Sequence, residues 1–429
     1  MNFDLSRDIV LRWPDQDPAM AGLLREGAVD VVLVDEPKDA FRQACQDGGI
    51  RLAPASELKA SGLSGFRNAA GAQAALSEGV WPGIGRGPSV HDVDEIAGAS
   101  GQPWLDANGF RLAWLRALCP SKHPALAYLP DKAAGLGPDR VVPYETLELA
   151  LAEAWVNGGN YVLAVEPRFR TALLAGNARA LAAWRDLGRT ARWLKQSRHL
   201  FGRPVMPCIT ALVEDGEATA ELANLLYRQN ASPALEPADS PPPPDPARRR
   251  VIVAASLAAP RPEVRGRILA HAAAGATVVT GREQAEPWWK VPGLRLKREE
   301  DDRETYTFGN GLVVAYKEKI VDPSDFALDV IDLVTQRRRA VRIWETATVI
   351  STVTAAPSEG SRRGRALLHA INYGRPLRSE LLAYVQGSYS SAVWFRPEAD
   401  PVPLKTIARG PATEVTIPDL KRVASVLLN

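Results

Sequence analysis

The sequence predicts an α/β chain in four parts: a (β/α)8 TIM-type barrel over residues 1–236, a proline-rich linker over 237–249, a small α/β domain over 250–339 and a C-terminal antiparallel β-sandwich over 340–429. Three observations carry this. Short apolar, β-branched runs alternate with longer segments of helical period through the first half, as repeated βα units around a parallel sheet require. The linker contains Ser240-Pro241-Pro242-Pro243-Pro244-Asp245-Pro246, an extended and semi-rigid run that separates folded units. After Ala340 the apolar runs shorten and are punctuated by turn residues, the pattern of antiparallel strands.

Eight runs in the first part read as barrel strands: residues 8–13, 29–35, 50–54, 80–84, 102–106, 125–130, 160–166 and 205–213. Between them lie helical segments such as 144–157, where Leu147, Leu151, Ala154 and Trp155 recur at helical spacing before Gly158-Gly159 stops the pattern. The longest helix candidate, 172–200, precedes the last run. An open doubly wound sheet alternates in the same way, but eight units without an early glycine-rich phosphate turn favour closure into a barrel. Past the linker, 250–256 and 276–280 read as buried strands around a helix at 263–274, completed by a strand-like 311–316 and a helix-like 325–335. The tail supplies strands at 341–344, 348–353, 366–373, 381–385, 391–395 and 414–417.

Composition narrows the function. A hydrophobic content of 46% is that of domains with real cores, and 52 basic against 50 acidic residues leave a net charge of +2. That balance builds no field to attract nucleic acid or anionic lipid, so a neutral or small polar partner is expected. Cys45, Cys119 and Cys208 are far apart, odd in number and match no zinc spacing, so no disulfide framework, metal or other cofactor is expected. No basic start leads into an apolar run at the N-terminus, and no stretch of 18 apolar residues occurs, so the chain is expected to be soluble with no membrane partner. A removed export signal would leave the same sequence, so localisation stays open.

In a (β/α)8 barrel the C-terminal ends of the strands build the site. Those ends carry Trp13, Asp35, Trp81, Trp104, Asp106, Asn108, Asp131, Glu166 and Glu214, with Arg12, Asp15, Glu36, Tyr128 and Asp215 beside them. Tryptophan rings stack on the apolar faces of sugars, and carboxylates accept hydroxyl hydrogen bonds or act as acid, base or nucleophile. Glu166 is the foremost catalytic candidate, since Pro167 stops the pairing just after it; the alternative is a helix cap, where Asp or Ser would be more natural. Asp106 is second, with Trp104 and Asn108 to hold its geometry; the alternative is an Asx-type turn into a helix at 110–118. Trp13, Asp35, Trp81, Trp104, Asn108, Asp131 and Glu214 remain as substrate-binding candidates. No Gly-x-Ser-x-Gly elbow is present in the barrel. His91, Asp92, Asp94 and Glu95 read as a solvated acidic run, and Gly83, Gly85 and Gly87 lack the helix of a phosphate cradle. Trp288-Trp289 reads as an anchor of the second domain onto the barrel.

Three late motifs, Gly309-Asn310-Gly311-Leu312-Val313-Val314-Ala315-Tyr316, Val321-Asp322-Pro323 and His369-Ala370-Ile371-Asn372-Tyr373, together with the domain order, resemble the barrel-bearing glycoside hydrolases related to the trimer-forming β-galactosidases. The resemblance spans nearly the whole chain at the level of architecture. It implies that the middle domain is amidotransferase-like and that a homo-oligomer is possible. It also implies a nucleophilic glutamate at the end of the seventh strand, matched by Glu166, and an acid/base glutamate at the end of the fourth, where residues 80–84 carry no carboxylate. Two readings follow: a glycoside hydrolase using Glu166 and Asp106, with Asp131, Asp35 or Glu214 in reserve, or a barrel that binds carbohydrate without cleaving it.

Overall fold

The computed structural model describes residues 3–13, 15–58, 63–68, 75–76, 79–84, 105–127, 142–245, 251–281, 287–320, 322–334, 338–344, 346–357, 365–377 and 379–429. Its first unit holds β1 (Val10–Arg12), β2 (Val31–Leu33), β3 (Arg51–Ala53), β4 (Ala75–Leu76), β5 (Gly83–Ile84), β6 (Leu105–Asp106), β7 (Ala125–Ala127) and β8 (Asn160–Ala164). The helices are α1 (Met20–Glu26), α2 (Asp39–Asp47), α3 (Leu63–Asn68), α4 (Gly109–Leu118), α5 (Thr146–Val156), α6 (Pro167–Leu174) and α7 (Ala178–Gln196). Six strands form a parallel sheet in the order β3-β2-β1-β8-β7-β4. This is the order of a sequential barrel opened between β3 and β4, and no pairing joins those two among the described residues. Of the expected eight-stranded barrel, the described residues form a six-stranded parallel sheet in barrel order, without a closing pair among them.

Three predicted strands account for the difference. Of runs 80–84 and 102–106, the described residues Gly83–Ile84 and Leu105–Asp106 meet each other as the antiparallel pair β5–β6, with Gly83 opposite Asp106, and are not bonded into the sheet. Pro82 has no N–H for a ladder and Gly83 sits at φ 151°, a combination that turns the chain out of a parallel sheet. The fourth sheet strand is instead Ala75–Leu76, too short to show a period in the sequence. Run 205–213 leaves for the next sheet, as shown below. Alternation fixes the faces of the strands that remain. Val10, Val31, Leu33, Ala53, Ala125, Ala127 and Val162 pack with Phe3 and Leu5 inside the curved sheet. Leu11, Trp13, Val32, Leu126, Tyr161 and Leu163 join the outer layer with the helices.

The second unit opens with β9 (Ile209–Val213), α8 (Glu217–Arg228) and β10 (Ala234–Pro237), then β11 (Val251–Val253), α9 (Pro262–Ala273), β12 (Thr277–Thr280), β13 (Arg295–Glu299), β14 (Arg303–Phe308), β15 (Gly311–Tyr316) and α10 (Pro323–Asp329). The seven strands run in the order β10-β9-β11-β12-β15-β14-β13, with β14 alone reversed, antiparallel to both β15 and β13. β9, read from the sequence as the eighth barrel strand, is bonded to β10 and β11 on its two sides. Helices α8 and α10 cover one face of this sheet and α9 the other. Trp289, expected as an anchor onto the first unit, is buried in the second unit's own core against Tyr306, ring centroids 5.4 Å apart.

The tail is a two-sheet antiparallel layer pair built from β16 (Val341–Ile343), β17 (Val349–Ala355), β18 (Ala366–Asn372), β19 (Leu381–Gln386), β20 (Ala392–Phe395), β21 (Val402–Leu404), β22 (Thr406–Arg409), β23 (Ala412–Ile417) and β24 (Val423–Leu428). One sheet runs β16-β19-β23-β22 and the other β17-β18-β24-β20-β21, around a common apolar core. Residues 204–206 lie alongside β17, through Met206 N to Val353 O at 2.9 Å and Ala355 N to Pro204 O at 2.8 Å. The three thiols are free, with Cys45 and Cys119 buried. Among the described residues no helix is long and apolar enough to cross a membrane.

Candidate functional site

A cleft of about 610 Å³ opens between the first unit and the tail, on the side where the sheet strands end. Gly79 N bonds Ala127 O at 3.4 Å, which lays the segment containing Trp81, Pro82 and Gly83 over the C-terminal end of β7. The chain after β7 returns through Val142 and Pro143 into the first turn of α5, whose Glu145, Thr146 and Leu149 form the floor. Arg179, from the first turn of α7, stands beside Glu145 at 3.6 Å. The tail closes the opposite wall with Tyr373, Gly374, Arg375, Pro376 and Arg422.

The two walls are joined underneath by one buried acid. Glu153 of α5 has no exposed surface. Its Oε1 accepts from Asn108 N at 2.6 Å, Gly109 N at 2.8 Å and Tyr373 Oη at 2.5 Å, and its Oε2 from Asn108 Nδ2 at 3.3 Å. The two backbone donors are the start of α4, where the helix dipole is positive. Asn108 in turn bonds both peptide groups of Val80, accepting from its N at 2.8 Å and donating to its O at 2.9 Å. Trp81 on one wall and Tyr373 on the other are thus fixed to the same carboxyl group. Burial is the largest influence on Glu153 and pushes its pKa up to about 7, with the hydrogen bonds from Tyr373, Asn108 and Gly109 pulling the other way. Tyr227 Oη accepts from Asn157 Nδ2 at 2.8 Å on the far side of this network. Burial first, and then the nearby Glu153, raise the pKa of both tyrosines above the usual phenol range.

The sequence-predicted residues separate into distinct places. Trp81 lines the cleft, and Asn108, predicted as a sugar contact, lies behind the wall and holds it. Asp106 pairs in β6 opposite Gly83, and its charge is felt by Arg228 at the end of α8. Glu166 follows β8, which is bonded to β1 on one side and to β7 on the other. Its Oε2 accepts from Phe169 N at 2.9 Å as the cap of α6, and its backbone O accepts from Arg170 N, whose guanidinium is 3.6 Å from Asp15. Trp13 is buried outside the sheet against Trp184 at 6.2 Å. Asp35 is exposed and accepts from Ala55 N at 2.9 Å, tying the ends of β2 and β3 together. Glu214 stands at the end of β9 in the second sheet, where its Oε1 accepts from Ala258 N at 2.8 Å. Trp104, Asp131, Tyr128 and the run His91, Asp92, Asp94 and Glu95 lie outside the described residues, as does position 78, the glutamate two residues past β4. The absence of a carboxylate in residues 80–84 was therefore judged against a segment that is not the fourth sheet strand.

Glu145, Glu153 and Tyr373 were missed as site residues. A signal for Glu153 was present: α5 is apolar on nearly every face, which predicts burial all round, and an acid inside such a helix requires partners. Among the described residues no cluster of metal-ligating side chains occurs.

No family model and no curated protein sequence matches the chain. Its structural neighbours are glycoside hydrolases. α-L-Fucosidase isoenzyme 2 from Paenibacillus thiaminolyticus aligns over 98% of this chain and 99% of its own, with a TM-score of 0.56 and 9% identity. A β-galactosidase from Bacillus circulans sp. alkalophilus aligns over 99% of each chain, with a TM-score of 0.51 and 10% identity. At such identities the likeness is one of fold.

Proposed function

We propose that this chain is a glycoside hydrolase that takes a saccharide into the cleft between the strand-end loops and the tail. The observation that carries the reading is the position of the cleft: in a scaffold shared with glycoside hydrolases, it lies over the carboxyl end of β7 and joins Trp81 and Tyr373 to charged side chains. Hydrolysis needs two carboxyl groups, about 5 to 5.5 Å apart for a retaining route and about 6.5 to 9.5 Å for an inverting one. Glu166 and Asp106 are assigned to that pair, with Glu145 as the acid presented by the cleft floor. Of the Glu166 oxygens, Oε2 is engaged by the cap, and among the described residues no hydrogen bond or ion pair engages Oε1, the oxygen this reading gives to a substrate or water.

A second reading, binding without cleavage, is favoured by one observation. Among the described lining residues Glu145 is the single acid, and neither Glu166 nor Asp106 lines the cleft. A panel of aryl glycosides and polysaccharides, with product analysis, decides between them. The hydrolase reading expects released sugar, and a loss of about 10²-fold or more in Glu166→Gln and Asp106→Asn. Turnover unchanged in Glu166→Gln removes that residue from the mechanism. Sugar-dependent quenching of tryptophan fluorescence with no product from any substrate replaces hydrolysis by binding.

A further inference from the structure

We infer that the cleft selects a saccharide carrying a negatively charged substituent, a carboxylate or a sulfate, through Arg375 and Arg179; this rests on the saccharide reading above. The charged side chains lining the cleft among the described residues are Arg179, Arg375, Arg422 and Glu145. Glu145 stands 3.6 Å from Arg179, and Glu148, behind the wall, lies 3.9 Å from Arg422, so among the described residues the charge left without an acidic partner in the cleft is that of Arg375. Nothing in the overall composition requires this, since the whole chain carries a net charge of only +2.

The three arginines are held differently. Arg422 is built into the wall: its side chain is 13% exposed, it donates to Gly374 O and its Nε lies 3.9 Å from Glu148 Oε2. Arg179 is 72% exposed and lies over the Tyr144 ring at 5.3 Å. Arg375 is exposed, and among the described residues its guanidinium makes no hydrogen bond or ion pair. Its backbone is nevertheless fixed, because Asn372 Nδ2 donates to Arg375 O at 2.7 Å. A guanidinium on an anchored backbone, uncommitted and facing a cavity, presents a planar fork matched to carboxylate or sulfate oxygens. The first turn of α5 adds the positive end of a helix dipole to the same floor. An uncompensated positive charge in a partly enclosed cleft attracts an anionic ligand where a neutral one gains nothing from it. Trp81 and Tyr373 on the walls and the cleft volume of about 610 Å³ suit a ring-bearing ligand rather than a lone ion.

Isothermal titration of the full chain tests this with four probes: trigalacturonate, its methyl ester, a monosulfated galactotriose and inorganic sulfate. The acid is expected to bind about tenfold or more tightly than its uncharged ester, and the contrast is expected to shrink in Arg375→Ala and Arg179→Ala and in 0.5 M salt. Tighter binding of the sulfated trisaccharide than of trigalacturonate identifies sulfate as the preferred substituent, and the reverse identifies carboxylate. Equal binding of acid and ester, unaltered in Arg375→Ala, overturns charge selection while the saccharide reading stands. Binding of inorganic sulfate alone overturns both, as does binding of no probe. Arg375 is exposed, so its variant retains the fold, and near-ultraviolet circular dichroism checks that it does.

Discussion

Replacing Glu153 by glutamine removes the one titrating group that joins both walls of the cleft. In the folded chain its pKa is raised from the ordinary 4.5 to about 7, because burial without solvent outweighs four hydrogen bonds. A carboxyl group with a raised folded pKa favours folding in its protonated form. Its contribution is fully present below pH 4.5 and is lost as the pH rises through about 7. At about 1.4 kcal/mol for each pH unit of displacement, the loss is about 3 kcal/mol between pH 4.5 and pH 8. Glutamine does not titrate, so the stability of Glu153→Gln relative to the parent is expected to improve by about that amount over this range. For a chain of 429 residues this corresponds to a relative gain in Tm of roughly 4 °C. Thermal unfolding of both proteins at pH 5 and pH 8, followed by calorimetry, reads the difference directly. Parallel pH profiles would refute the reasoning: they would mean that the carboxyl group ionises alike in the folded and unfolded chain.

Two further substitutions probe packing at the same junction and at the foremost sequence candidate. Gly109→Ala places a β-carbon against the Tyr227 hydroxyl and Asn157 Nδ2 at the start of α4, so a destabilisation of about 1–3 kcal/mol is expected in denaturant melts; an unchanged midpoint would show that Tyr227 moves aside freely. Glu166→Ala deletes the cap of α6 and is expected to cost about 1 kcal/mol whether or not residue 166 takes part in catalysis. Hydrogen exchange slowed or unchanged over Pro167–Leu174 would contradict the capping role.

The alternation of βα units, the compact α/β middle and the antiparallel tail were legible because each rests on local periodicity. What the sequence concealed was long-range partnership. Ile209–Val213 is buried along its whole length, so its run reads the same in either parallel sheet, and only its bonds to Val251–Val253 say which. Ala75–Leu76 carries no period at all, so the fourth strand was read five residues too late, at 80–84. Trp81 and Asn108 were singled out separately, each as a substrate-binding candidate, and what connects their segments to the tail is a contact between Glu153 and Tyr373, which lie 220 positions apart. The late motif His369-Ala370-Ile371-Asn372-Tyr373 likewise marked a conspicuous stretch whose work is internal. His369 is buried between Ser425 Oγ at 2.8 Å and Thr354 Oγ1 at 3.3 Å, and burial lowers its pKa to about 4. Asn372 braces the following turn, accepting from Gly374 N at 3.0 Å.

The proline-rich run between Pro237 and Val251 looks like a place to cut the gene, yet the seven-stranded sheet spans it, with β9 and β10 before the run and β11 after. A fragment ending at residue 236 would carry away most of two strands and leave the buried flank of Ile209–Val213 open, an invitation to edge-to-edge aggregation. Dissection of the chain into expressible pieces has to begin upstream of Ile209, and even there the residues from Pro204 to Met206 would be torn from their place beside Val349–Ala355.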